Sequence, residues 1–298
     1  MTIHLLNSDA RCIPLADRSV QCIVTSPIYW RQRDYGIHGQ LGLETTPEDY
    51  VSNLMVVMRE CYRVLKPDGV IWMVIGDTMK NKNLIGIPWL VAFAMKQAGY
   101  YLRSECIWHK TNAKPGSQTD RPTTGHENIF LFSKRKRYYY DNEAIKEPAK
   151  TWTGRAATFE RNGAVAEHII PGQGYAEHRP NRNGANSLRS VGRDRATESG
   201  KSNRAGRDMA QVCIGPTRTK RSVWSVATVP YREAHFATFP PKLVEPMILA
   251  GSRPGDIVLD PFCGTAVVGQ VCRQHHREFI GIELNPFSIG LAIKRLQL

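Results

Sequence analysis

The sequence contains no Cys-x-x-Cys pair, no uninterrupted apolar run long enough to span a bilayer, and no G-x-G-x-x-G turn. Each absence removes a class of protein. Seven cysteines, an odd number without metal-ligand spacing, suggest neither a disulfide framework nor a zinc knuckle. They fit reduced, buried thiols and a cytoplasmic setting. The N-terminus MTIHLLNSDARC lacks the charged-then-apolar layout of a secretory leader, and no membrane partner is expected. The missing glycine fingerprint disfavours a nicotinamide dinucleotide. Acidic residues are also scarce: 27 Asp and Glu face 40 Lys and Arg, a net +13 over 298 residues. That balance favours a polyanionic partner, chiefly nucleic acid, through phosphate neutralisation and counterion release; a generally basic surface is the alternative.

The charge is unevenly spread. Residues 150–221 hold fourteen Lys and Arg against six acids, most of the excess in about a quarter of the chain. This stretch is rich in Gly, Asn and Ser and reads as loop or disorder, ordered by a partner or simply solvated. On either side, strands alternate with helices. Ile3–Leu6, Cys22–Thr25, Val70–Ile75, Tyr101–Trp108, Asn128–Ser133, Asp256–Asp260 and Glu278–Glu283 are expected strands. Thr46-Pro47-Glu48-Asp49 carries a cap, a first-turn proline and acids favoured by the helix dipole. Val51, Leu54, Met55, Met58, Tyr62 and Leu65 then give one apolar helical face, closed by a turn at Lys66–Gly69. Ile87–Ala98, Gly264–His275 and Pro286–Leu296 are the other expected helices. The pattern predicts an α/β fold: a mixed, mostly parallel sheet with helices on both faces, plus a basic loop-rich insertion.

Two strand ends attract attention. One apolar strand ends at Asp260 and passes through Pro261-Phe262-Cys263-Gly264-Thr265 into a helix; the next strand ends at Glu283, nineteen residues after Gly264. In open α/β sheets, ligands bind outside the carboxyl ends of strands, and a carboxylate at this spacing accepts hydrogen bonds from ribose hydroxyls. A tight turn with a surface acid is the bland alternative. Asp260 would repel a pyrophosphate yet suits the ammonium of an amino-acid-like cofactor. The other strand end is Thr25-Ser26-Pro27-Ile28-Tyr29-Trp30, which offers hydroxyls and two aromatic rings where a plain turn would carry Gly, Asn or Asp.

Together these blocks resemble the S-adenosylmethionine-dependent DNA amino-methyltransferases of the permuted β group. DPFCGT and GIELNP look like the family's two cofactor motifs, HFATFPPKLVEPMI (235–248) like the segment before them, and TSPIYW like the catalytic TSPPYW. The order also matches: catalytic motif, basic variable region, cofactor motif. The resemblance covers residues 1–146 and 222–298. It divides the chain into a catalytic half (1–146), a target-recognition insertion (147–221) and a cofactor-binding half (222–298) of one Rossmann-like domain.

The resemblance implies S-adenosyl-L-methionine as cofactor and no metal. Cofactor contacts fall to Asp9, Thr25, Phe239, Asp260, Phe262, Gly264, Thr265, Glu283 and Asn285. Ser26 and the Pro27 carbonyl would accept from an exocyclic base amine, and Tyr29 would stack on that base once it is flipped from the duplex. Trp30, Arg179, Arg182, Arg189, Arg193 and Arg195 would contact double-stranded DNA, and a restriction endonuclease is an implied companion. Ser26, where many adenine enzymes carry Asp, favours the N4 amine of cytosine over the N6 amine of adenine. No proline precedes a cysteine, which argues against carbon-5 methylation. Ile28 replaces the usual second proline, freeing a backbone N–H and loosening the loop. Ala266 replaces a usual glycine; these two departures keep open an inactive DNA-binding relative. Asp77 is expected either to line the cofactor site or to cap a loop, and His109 and His126 to make structural hydrogen bonds.

Overall fold

The structure is a computed structural model that describes residues 2–149, 217–229 and 239–298. The chain divides into two units, residues 1–147 with 219–298, and residues 148–218; almost all of the second lies outside the described residues.

Eight strands make one sheet among the described residues: β1 (Ile3–Asn7), β2 (Val20–Thr25), β3 (Leu65–Ile75), β4 (Tyr101–His109), β5 (His126–Ser133), β6 (Val223–Ser225), β7 (Ile257–Asp260) and β8 (Glu278–Glu283). Their spatial order is β1-β8-β7-β2-β3-β5-β4-β6. Only β5 runs antiparallel to its neighbours; the other pairings are parallel. The carboxyl ends of seven strands therefore share one edge of the sheet with the amino end of β5.

Among the described residues, five α-helices cover the faces: α1 (Pro47–Val64), α2 (Ile87–Gln97), α3 (Pro241–Gly251), α4 (Val267–Gln274) and α5 (Pro286–Leu296). At α1 the extended Thr46 accepts a hydrogen bond from the Asp49 N–H at 3.1 Å, with Pro47 in the first turn. Its Leu54, Met55 and Met58 pack with Val91 and Met95 of α2 on Ile71, Met73, Phe130 and Phe132 of the sheet. On the opposite face, Val244 and Ile248 of α3, Val268 and Val271 of α4, and Leu296 of α5 share a core with Trp72, Val74 and Phe279. Alternate residues of β3 thus serve the two cores, so Val70–Ile75 reads as an unbroken apolar run. Each fully buried side chain there contributes about 1.5–3 kcal/mol.

Two expected boundaries move by three residues or more. Lys66–Gly69, expected as a turn, lies within β3: Leu65 pairs with Val20 and Val70 with Cys22, and the residues between form an irregularity in the pairing. Gly69 fits there because a Cβ would meet the Gln21 carbonyl oxygen at 2.8 Å. The helix expected from Gly264 begins only at Val267, because Gly264 (φ 48°) and Ala266 (φ 55°) are left-handed and cannot belong to a right-handed helix. Six cysteines among the described residues are free, five of them buried. No helix of the described residues is long and apolar enough to cross a membrane.

Candidate active site

The centre of the shared edge is where β7 meets β2. Thr25, the last residue of β2, donates its hydroxyl to Asp260 Oδ1 at 2.8 Å, joining residues 235 apart in sequence. The Phe262 N–H donates to the same oxygen at 3.1 Å, so both bonds fall on Oδ1 and leave Oδ2 available to a cation. Thr25 and Asp260 are both buried. Burial pushes the Asp260 carboxyl up to about 7, against the two hydrogen bonds that favour its charged form.

One strand away, Glu283 accepts from the Gly264 N–H at 2.9 Å and from the Asn285 N–H at 2.8 Å. Burial raises its carboxyl too, again opposed by these backbone donors. Asn285 turns its own side-chain oxygen to the Phe287 N–H (2.9 Å), which caps α5. The turn between Asp260 and α4 has two further marks of a ligand cradle. Among the described residues, Thr265 Oγ1 is buried with no hydrogen-bond partner, and nothing lies within 4 Å of where a Cβ of Gly264 would be. Cys263 is a packed residue here, its sulfur against Gly281. Phe262 and Phe239 are half-buried, each packed on one of the two cores. Asp9 follows β1; its carboxylate forms an ion pair with Arg11 at 2.5 Å, whose guanidinium holds the carboxyl below the usual range. Asn7 Nδ2 donates to the Glu283 and Leu284 carbonyls at 2.9 and 3.0 Å, which keeps the Asp9 loop beside β8.

The loop after β2 is held from several sides. The Tyr50 hydroxyl of α1 donates to the Ile28 carbonyl at 2.9 Å, and the Arg31 N–H donates to the Gly42 carbonyl at 2.7 Å. Thr78 Oγ1 donates to the Trp30 carbonyl at 2.8 Å, and Gln32 Nε2 to the Asp77 carbonyl at 3.0 Å. The loosening expected of Ile28 is therefore met by anchors outside the motif. The Ile28 side chain fits against Gly42, where a Cβ would approach Ile28 Cγ2 to 2.9 Å. Within the loop, Ser26 Oγ donates to Tyr29 Oη at 3.3 Å, and Tyr29 Oη donates to Glu127 Oε2 at 2.8 Å. Glu127 forms an ion pair with Lys110. The Tyr29 ring lies on the bare backbone of Gly76, where a Cβ would come within 2.6 Å of it. Burial and the neighbouring Glu127 hold the Tyr29 phenol well above its ordinary value, so it remains a donor.

Trp30 corrects an expectation. Its ring has no exposed surface, lies in the α1 core, and donates Nε1–H to the Glu44 carbonyl at 2.9 Å. With no surface left to meet DNA in this structure, the side chain is an anchor of the loop. Arg179, Arg182, Arg189, Arg193 and Arg195 lie outside the described residues. Asp77 resolves to the cap: its carboxylate accepts from the N–H groups of Thr78, Gly86 and Ile87 at 2.8–3.0 Å, closing the start of α2. His109 Nδ1 bonds Ser225 Oγ at 3.1 Å, a structural contact. Glu127, Lys110, Gly76 and Tyr50 are not singled out by the sequence pattern. A charged residue opening the apolar run Asn128–Ser133 is visible there, but its place at the site follows from β5 running backwards.

Comparisons with known proteins agree with this architecture. The sequence model of the DNA methylase family N6_N4_Mtase matches residues 20–294. The chain is 36% identical over 312 residues to the type II methyltransferase M.Cfr9I of Citrobacter freundii, covering 95% of this chain and 83% of that protein. To the type II methyltransferase M.SmaI of Serratia marcescens it is 36% identical over 304 residues, covering 92% and 83%. Among solved structures, the PvuII DNA methyltransferase (cytosine-N4-specific) shares the fold with a TM-score of 0.67 at 16% identity, over 99% of this chain and 86% of that one. The complex of M1.HpyAVI with S-adenosylmethionine matches at a TM-score of 0.54 and 17% identity, covering 100% of both chains. With the matched family spanning both flanks of the basic segment, from β2 into α5, the chain belongs to the N6/N4 DNA methylase family.

Proposed function

We propose that this protein transfers a methyl group from S-adenosyl-L-methionine to the exocyclic N4 amine of a cytosine flipped out of duplex DNA. The observation that carries the reading is the Thr25–Asp260 hydrogen bond, which ties the strand leading into Ser26-Pro27-Ile28-Tyr29 to the turn that would hold the cofactor. The residues present suit such a cofactor. Asp260 Oδ2 can meet its ammonium group and the Glu283 carboxylate its ribose hydroxyls, while the unpartnered Thr265 hydroxyl and the open space at Gly264 leave room and a polar contact. Bound there, the cofactor supplies a methyl group activated on a sulfonium.

The chain's own residues orient the acceptor. A base amine is a weak nucleophile because its lone pair is conjugated into the ring. The Ser26 hydroxyl and Pro27 carbonyl, accepting from its N–H groups, favour a pyramidal nitrogen and aim the lone pair. Tyr29 offers its ring to the base, a stacking contact of ~1–3 kcal/mol. Ser26, a neutral hydroxyl where adenine-specific relatives commonly carry a carboxylate, supports cytosine. Chain order, with TSPIYW before and DPFCGT after the basic segment, supports the permuted β group. Residues 147–221, with their basic excess, are the proposed reader of the recognition sequence. The type II relatives support a restriction–modification setting with a companion endonuclease.

The test is incubation with unmethylated DNA and S-adenosylmethionine, followed by mass spectrometry of the digested nucleosides, with Ser26→Ala alongside. N4-methylcytosine that depends on Ser26 is expected. N6-methyladenine as the sole product would overturn the cytosine assignment.

A further inference from the structure

We infer that Ser26, Tyr29 and Glu127 form a relay that carries away the proton released when the base amine is methylated. The inference rests on the reading that Ser26 faces the target amine. Both observed hydrogen bonds run in the direction a relay needs: Ser26 Oγ donates to Tyr29 Oη, and Tyr29 Oη donates to Glu127 Oε2 at 2.8 Å. The first, at 3.3 Å, is long for an O–H···O bond, and such bonds commonly tighten when substrate binds. Glu127 stands at the amino end of β5, the single strand reversed in this sheet, which brings its carboxylate to the same edge as the end of β2. Lys110 faces Glu127 as an ion-pair partner and Trp108 lies opposite it in register, with His109 and His126 paired one position further out.

The balance is simple. As the amine nitrogen gains its carbon it comes to carry one proton too many. One N–H bond breaks in the same transition state, and its proton binds a lone pair of Ser26 Oγ. The Ser26 hydroxyl proton passes to Tyr29 Oη, and the Tyr29 phenol proton passes to Glu127 Oε2. Each hydroxyl ends as it began. The Glu127 side chain is 15% exposed, so it can return the proton to water and again pair with Lys110. The phenol oxygen is held between the motif's serine and a carboxylate 98 residues away. Glu127 does not reach the base and acts through Tyr29, so it is a positioning residue that also receives the relayed proton.

Single-turnover methyl transfer, with saturating cofactor and DNA, tests the relay in Tyr29→Phe, Glu127→Gln and their combination. Phe keeps the ring and removes the relaying hydroxyl. Gln still accepts a hydrogen bond but is too weak a base to hold the proton. Each single variant should lose rate on the order of 10²-fold, in the range of a positioned proton acceptor. The double variant should lose no more, because both changes cut one chain. Cofactor and DNA dissociation constants, measured by calorimetry and anisotropy, should stay within about twofold of wild type, and formate should restore Glu127→Ala but not Glu127→Ala combined with Tyr29→Phe. Wild-type rate in Glu127→Gln, or losses that multiply in the double variant, would overturn the relay. The base methylated by the wild-type protein, read from the same digests, judges the cytosine assignment separately from these rate ratios.

Discussion

Asp260 is a carboxylate without a cationic hydrogen-bond partner among the described residues, buried at the junction of β7 and β2, and its ionisation should be coupled to cofactor binding. Its carboxyl is moved from an ordinary 3.8 to about 7 by burial. Charging it in the folded protein therefore costs about 4 kcal/mol more than in the unfolded chain. The native state holds this proton more tightly than the unfolded state. Its contribution to stability is thus complete below pH 3.8 and is lost as pH rises through about 7. A cofactor ammonium beside Oδ2 reverses the preference, because it binds the ionised form. The ionised fraction falls from ~0.76 at pH 7.5 to ~0.09 at pH 6, so the apparent dissociation constant for S-adenosylmethionine should weaken about eightfold across that range. Titration calorimetry between pH 6 and pH 7.5 in the wild type and in Asp260→Asn provides the assay. An amide at this position cannot ionise, so the variant should bind more weakly at pH 7.5 and lose most of the pH dependence. A wild-type affinity flat across this range would refute the claim that Asp260 receives the ammonium group.

Two substitutions address residues whose roles the fold defines. Trp30→Ala empties a fully buried site and should destabilise the protein by about 3–5 kcal/mol, seen as a fall in melting temperature before any measurement with DNA. An unchanged melting temperature with weakened DNA binding would return this residue to the DNA interface. Asp77→Ala removes the acceptor of the Thr78 N–H and of two backbone N–H groups at the start of α2, and should cost about 1–2 kcal/mol in urea unfolding, with cofactor affinity retained. A selective loss of cofactor binding without loss of stability would place Asp77 in the cofactor site instead.

Much of this architecture is legible in the residues themselves. The cap Thr46 with Pro47, the apolar run Val70–Ile75, and the Asp260 and Glu283 strand ends carry their positions in local sequence, because caps, periodicity and turn chemistry act over a few residues. What stays hidden depends on distant chain. The reversal of β5 leaves no local mark, since an apolar strand reads the same in either direction, and Glu127 is hidden with it. Trp30 sits beside polar neighbours in a loop and looks surface-directed, yet α1 and the Glu44 carbonyl enclose it. Ile28 reads as a loss of rigidity when judged within its own motif. Its carbonyl is held by Tyr50, 22 residues on, and that compensation is visible only in three dimensions. Ala266 can be recognised as a departure from glycine, whereas its left-handed backbone is evident only in the fold.

Under the proposed function, TSPIYW, docked through Thr25 on the Asp260 turn, presents a cytosine amine to the methyl donor. The most direct measurement is nucleoside mass spectrometry of genomic DNA from a bacterial host without methyltransferases of its own, expressing either the wild-type chain or Ser26→Ala. N4-methylcytosine is expected with the wild type and its near-complete loss with the variant. N6-methyladenine in its place, or equal N4-methylcytosine from both chains, would contradict the proposal.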